Sequence, residues 1–145
     1  MMTISDLLTP QHKHCDELFA AAEAAAAKGE WVAASAGFNE FLAAMLRHFA
    51  LEEEVMFPAF EAHTGMTQGP TAVMRSEHRQ MTGLLDQLAH ALAGKDSDAF
   101  LGEADTLLTI MQQHNVKEEQ MLYRMADQAL AADMEELVGR MRAMA

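Results

Sequence analysis

The chain has 145 residues, half of them hydrophobic and only 6% aromatic, with a formal net charge of −12. That length fits one domain with a sizeable buried core, while the acidity repels phosphate backbones and speaks against nucleic-acid binding. A single cysteine excludes an internal disulfide and a thiolate metal cage, and no apolar run approaches a membrane span.

Ala, Leu, Met, Glu and Gln are abundant, whereas three prolines and eight glycines are too few for a turn-rich β fold, so the expected class is all-α. The N-terminus, MMTISDLLTPQHKH, lacks the basic start and apolar core of a signal peptide, which makes the cytoplasm the default location. A first helix is expected from Pro10 to Lys28, with Thr9 as N-cap and Gly29 as its stop. A second runs from about Glu30 to His63, ends at Gly65 and is expected to kink at Pro58. After a connection over Thr64 to Gly69, a third spans Pro70 to Ala93 before Gly94. A fourth starts behind a cap at Asp96 or Ser97 and continues to about Leu130. A short last helix, capped by Asp133, covers Met134 to Met144, with Leu137 and Met141 expected to cap the bundle rather than to form a dimer interface. Short loops favour antiparallel neighbours, hence an up-down-up-down four-helix bundle with a short additional C-terminal helix.

Shifting the chain by 66 residues superimposes His12 on His78, His48 on His114 and Glu52 on Glu118. Apolar residues follow in the same frame. Leu8, Cys15, Phe19, Ala22 and Ala26 fall on Met74, Met81, Leu85, Leu88 and Leu92; Phe38, Phe41, Met45, Val55 and Ala59 fall on Ala104, Leu107, Met111, Met121 and Met125. Each series steps by three and four residues, as one helix face does, so six ionisable residues lie on stripes expected to pack inward. Inward ionisable groups are costly unless paired or bound to a metal. A lone core histidine is as often structural as a ligand, and a buried hydrogen-bonded network is the competing explanation. Six such residues in one register favour metal: two cations, each held by two histidines and sharing both glutamates, with an oxo, hydroxo or water bridge. Nitrogen and oxygen donors without thiolate suit iron, with manganese or zinc as substitutes.

His14 competes with His12 for the first ligand position, but its repeat partner is Gln80 and it points away from the Leu8, Cys15, Phe19 stripe. His63 and His90 are expected to be solvated. Glu53, Glu54 and Glu119 adjoin the motifs as solvated residues or as partners of histidine N–H groups. Cys15 is expected to be a small buried thiol, and Met45, Met74, Met81 and Met111 to flank the site as adaptable core filler. Tyr123, which aligns with Phe57, is expected to pack with its hydroxyl exposed. The chain has no HExxH, CxxC, P-loop, GxGxxG or EF-hand loop, and no ExxH pair of the ferritin-like kind.

The segments HFALEEEVMFPAF (His48 to Phe60), HNVKEEQMLYRMAD (His114 to Asp127) and EHRQM (Glu77 to Met81) resemble the hemerythrin-like, or HHE cation-binding, family over nearly the whole chain, as one domain over residues 1–145. The resemblance implies a four-helix bundle around a non-haem di-iron centre, with His12, His48, His78 and His114 as terminal ligands and Glu52 and Glu118 as bridges. Oxygen-carrying hemerythrins place a histidine four residues before the one matched by His78, where this chain has Met74, and end on HxxxxD rather than HxxxE. Four histidines with two glutamates are closer to the di-iron domain of iron-centre repair proteins, whose usual cysteine-containing N-terminal segment has no counterpart here. The expected function is O2 or NO binding at the di-iron site, in carriage, sensing or stress response. The alternative is iron donation to damaged centres, or redox turnover of NO or peroxide.

Overall fold

The computed structural model describes residues 1–144 as a helical bundle. α1 spans Ile4–Ala27, well ahead of the expected Pro10 start. Thr3 caps it reciprocally: the Asp6 N–H donates to the Thr3 hydroxyl (3.1 Å) and the Thr3 N–H to the Asp6 carboxylate (3.0 Å). Pro10 therefore lies inside the helix. Ile4 and Leu8 are buried one turn apart and anchor the first turns, while Asp6 and Pro10 face solvent, where water can satisfy the carbonyl that a proline cannot.

α2 (Trp31–Leu51) is followed by a π-helical turn, Glu52–Met56, and then by α3 (Phe57–Thr64), which ends on Gly65 in the left-handed region (φ 75°). α4 covers Pro70–Ala93. α5 (Ser97–Lys117) is capped by the Asp96 carboxylate and leads into a second π-helical turn, Glu118–Leu122, continued by α6 (Tyr123–Ala129). A 3-10 turn, Ala131–Asp133, precedes α7 (Met134–Met144), so Asp133 closes that turn. Gly94 keeps an ordinary φ of −83°, and the positive φ at that helix end falls on Lys95 (51°).

α1 packs along α2 and α4 along α5; α1 also meets α5, and α2 meets α4, which closes the four-helix ring in up-down-up-down order. α7 lies across one end, with Leu137 and Met141 buried. The apolar core is in two clusters. One contains Phe19, Phe38, Phe41, Met45, Met81, Leu85, Phe100 and Met111; the other contains Ile4, Leu8, Phe57, Phe60, Met74, Leu122, Tyr123 and Met141. Along α1 and α4 the switch from one cluster to the other comes at His12 and His78; on α2 it comes just past His48, between Phe49 and Leu51, and beyond His114 the second cluster begins at Leu122. A polar layer thus crosses the bundle between two dry halves.

The start of α1 is tied to α6 by Asp127, whose carboxylate accepts from the Ile4 N–H (2.9 Å) and the Ser5 hydroxyl (2.6 Å). Asp127→Ala is expected to lower the unfolding free energy of the metal-free chain by about 1–2 kcal/mol in urea denaturation. An unchanged midpoint would mean that Thr3 alone secures this end.

Candidate metal centre

His12 comes from α1, His48 from α2, His78 from α4 and His114 from α5, while Glu52 and Glu118 each head a π-helical turn. All six are buried, the two carboxylates completely. His12 Nε2 lies 3.1 Å from His48 Nε2 and 3.0 Å from Glu118 Oε1. His78 Nε2 is 3.1 Å from Glu52 Oε1, and His114 Nε2 is 3.3 Å from Glu118 Oε1. Ligand-type atoms of Glu52, His78, His114 and Glu118 lie within 4.8 Å of one another, as do those of His12, His48 and Glu118. The two groups share Glu118, so the structure brings all six predicted residues together. His14, His63 and His90 are exposed and take no part.

Each imidazole turns Nε2 inward because its other nitrogen is held from outside. His12 Nδ1–H donates to Glu119 (2.7 Å), His48 to the Gln11 side-chain carbonyl (2.7 Å), His78 to Glu53 (3.2 Å) and His114 to Glu77 (2.8 Å). Lys117 pairs with the far oxygen of Glu77. Such acceptors fix the ring orientation and raise the basicity of the inward nitrogen. Glu53 and Glu119 fill the partner role the sequence offered them, whereas Glu54 is exposed. Gln11 and Glu77 were not foreseen, although the repeat carries the signal: Gln11 falls on Glu77 and Glu53 on Glu119 under the same 66-residue shift.

Tyr123 is the main correction. Its side chain is fully buried, and its hydroxyl points into the cluster, 2.6 Å from Glu52 Oε2 and 3.0 Å from Glu118 Oε1. The expectation of an exposed hydroxyl assumed an unbroken α-helical phase. The π-helical turn instead carries the Tyr123 N–H to the Glu118 carbonyl, five residues back, and rotates everything beyond it by about one residue. Tyr123 thereby shares the face of Glu118, and Met121, expected inside, is 60% exposed. Val55 in the first repeat stays buried, while Ala59 and Met125 are only partly so. The proline at position 58 is not the cause, because the second turn forms without one. Both turns open on the inward glutamate.

Electrostatics divides the carboxylates. Burial and the charge of Glu118 raise the pKa of Glu52, whereas at Glu118 burial is outweighed by hydrogen bonds with Glu52, His114, His12 and His48, which hold its pKa well below the usual carboxylate range. Burial works against a charged His114, but the negative Glu118 carboxylate 3.3 Å from its Nε2 prevails and pushes its pKa up to about 9. Without a cation, protons hold this cluster together, and not completely. Glu52 Oε1, His78 Nε2, His114 Nε2 and Glu118 Oε2 are buried without a hydrogen-bond partner. Four orphaned nitrogen and oxygen donors, close together but misaligned for bonding each other, are what a shared cation would satisfy.

A family model described as Hemerythrin HHE cation binding domain matches residues 3–126. The chain belongs to this family. No match was found among curated proteins or among solved structures. The hemerythrin-like bundle and its buried His/Glu layer together make a metal-binding fold. Among the described residues no helix is long and apolar enough to cross a membrane.

In the metal-free protein His114 is expected to stay an imidazolium through neutral pH and to lose its proton near pH 9, as read by NMR titration. Because its folded pKa is raised, its contribution to stability is complete below about pH 6.5 and lost as pH rises through about 9. An ordinary titration near neutrality would contradict the Glu118 contact.

Proposed function

We propose that this hemerythrin-like domain holds two iron ions, one between His12 and His48 and the other between His78 and His114, with Glu52 and Glu118 bridging them, and that it binds O2 or NO there. The observation that supports this most is the sharing of Glu118 by two groups of ligand-type atoms whose histidine pairs are related by the internal repeat. Manganese or zinc could occupy the same donors, but a set of imidazoles and carboxylates without thiolate suits iron.

Paired ferrous iron would supply one- or two-electron chemistry to a small oxidant. The chain's own residues do the rest. The four Nδ1–H bonds aim the imidazoles, and a ligating histidine must be free of its proton at Nε2, so His114, whose pKa is pushed up to about 9, would have to give one up on metal binding. The apolar clusters on either side, including Met45, Met74, Met81 and Met111, keep bulk water from the layer.

One observation favours a second reading. Met74, buried one turn before His78, supplies no further imidazole where the oxygen carriers have one. That poorer donor set fits iron donation to damaged centres, or turnover of NO or peroxide.

Anaerobic iron loading followed by O2 addition tests both. The wild-type chain is expected to take up two irons, and Glu118→Ala one or none; two in both would contradict the bridging role. A visible band that reverses under vacuum supports O2 binding, whereas irreversible oxidation with iron loss supports donation or turnover.

A further inference from the structure

The two halves of the site are not equivalent. Phe57 and Tyr123 are repeat partners, both fully buried, and only one of them carries an oxygen. A phenol has one proton to donate, and Glu52 Oε2 at 2.6 Å is the nearest acceptor. The same oxygen also lies 3.0 Å from Glu118 Oε1, 3.1 Å from His12 Nε2 and 3.4 Å from His48 Nε2, more contacts than one proton can serve.

These four atoms make a cage. The remaining separations are 3.1 Å between His12 Nε2 and His48 Nε2, 3.0 Å between His12 Nε2 and Glu118 Oε1, and 3.8 Å between His48 Nε2 and Glu118 Oε1. Four atoms whose pairs are all 3.0–3.8 Å apart form a slightly distorted tetrahedron. With edges averaging about 3.2 Å, its centre is about 2.0 Å from each corner, the length of an ordinary bond from a transition-metal cation to imidazole nitrogen or carboxylate oxygen. We propose that Tyr123 is a further metal ligand, its phenolic oxygen completing the His12, His48, Glu118 position while Phe57 leaves the His78, His114 position without such a donor.

This rests on the two-metal reading above. Binding exchanges the phenol proton for the cation, and the proton leaves to solvent; no electron transfer is involved. The phenolate adds a negative charge to one metal position, so the exogenous small ligand is directed to the other, where His78 Nε2, His114 Nε2, Glu52 Oε1 and Glu118 Oε2 have no hydrogen-bond partner.

Ferric-loaded protein tests the assignment through its spectrum rather than its activity. The wild-type chain is expected to show a phenolate-to-iron charge-transfer band, with tyrosinate modes enhanced in resonance Raman spectra excited within it. Tyr123→Phe, which places the Phe57 side chain type at the equivalent position, is expected to lose both while keeping its helicity and its bound iron. Two irons in the wild-type chain with no tyrosinate modes would overturn the ligand and leave the two-metal reading standing. A band that survives in Tyr123→Phe would likewise overturn the ligand. Failure of the wild-type chain to bind iron would overturn both.

Discussion

Four imidazoles and two carboxylates occupy one layer across the middle of a bundle whose two apolar clusters are otherwise dry. Removing such groups from water costs several kcal/mol per ion even after relaxation, unless each finds a partner of opposite charge or a cation. Their mutual contacts repay part of that cost. Glu118 is stabilised as an anion by the histidines around it, and burial beside that charge raises the pKa of Glu52. The remaining deficit, four buried donors without partners, is what links the fold to its chemistry.

The π-helical turns are the backbone's share of that arrangement. Each opens on an inward glutamate and brings the residue five positions later onto the same face, so Phe57 and Tyr123 close the layer from the α3 and α6 side. Single π-turns recur at functional sites because an inserted residue re-aims side chains without ending the helix. Here the same insertion occurs in both halves of the repeat, but it delivers a ring in one and a phenol in the other. The internal twofold is kept by the backbone and by the acceptors Gln11, Glu53, Glu77 and Glu119, and broken at one oxygen.

Most of this was legible in the residues. The 66-residue register, read with helical periodicity, picks out all six inward ionisable residues and most of the buried apolar positions before Glu52 and Glu118, though not Ile4, Ala34, Phe49, Leu51 or Phe100. Periodicity works there because the helices are regular and the inward stripe is continuous. It fails beyond the glutamates, at Met121 and Tyr123, because a one-residue insertion in the hydrogen-bond ladder leaves no mark in composition. The start of α1 escaped for a different reason. Pro10 is a strong local boundary signal, overridden by the Thr3–Asp6 cap, by burial of Ile4 and Leu8 and by the long-range anchoring of Ile4 and Ser5 by Asp127. Gln11 and Glu77 were hidden by standing beside a histidine in sequence while bonding the histidine of a neighbouring helix.

The central claim is that the polar layer exists to hold two cations. Anomalous diffraction at the iron edge, on crystals of iron-loaded protein, tests it directly. Two peaks are predicted inside the bundle, about 3–4 Å apart, between the Nε2 atoms of the four histidines and flanked by Glu52 and Glu118. A layer without peaks, or peaks confined to the acidic surface, would contradict it.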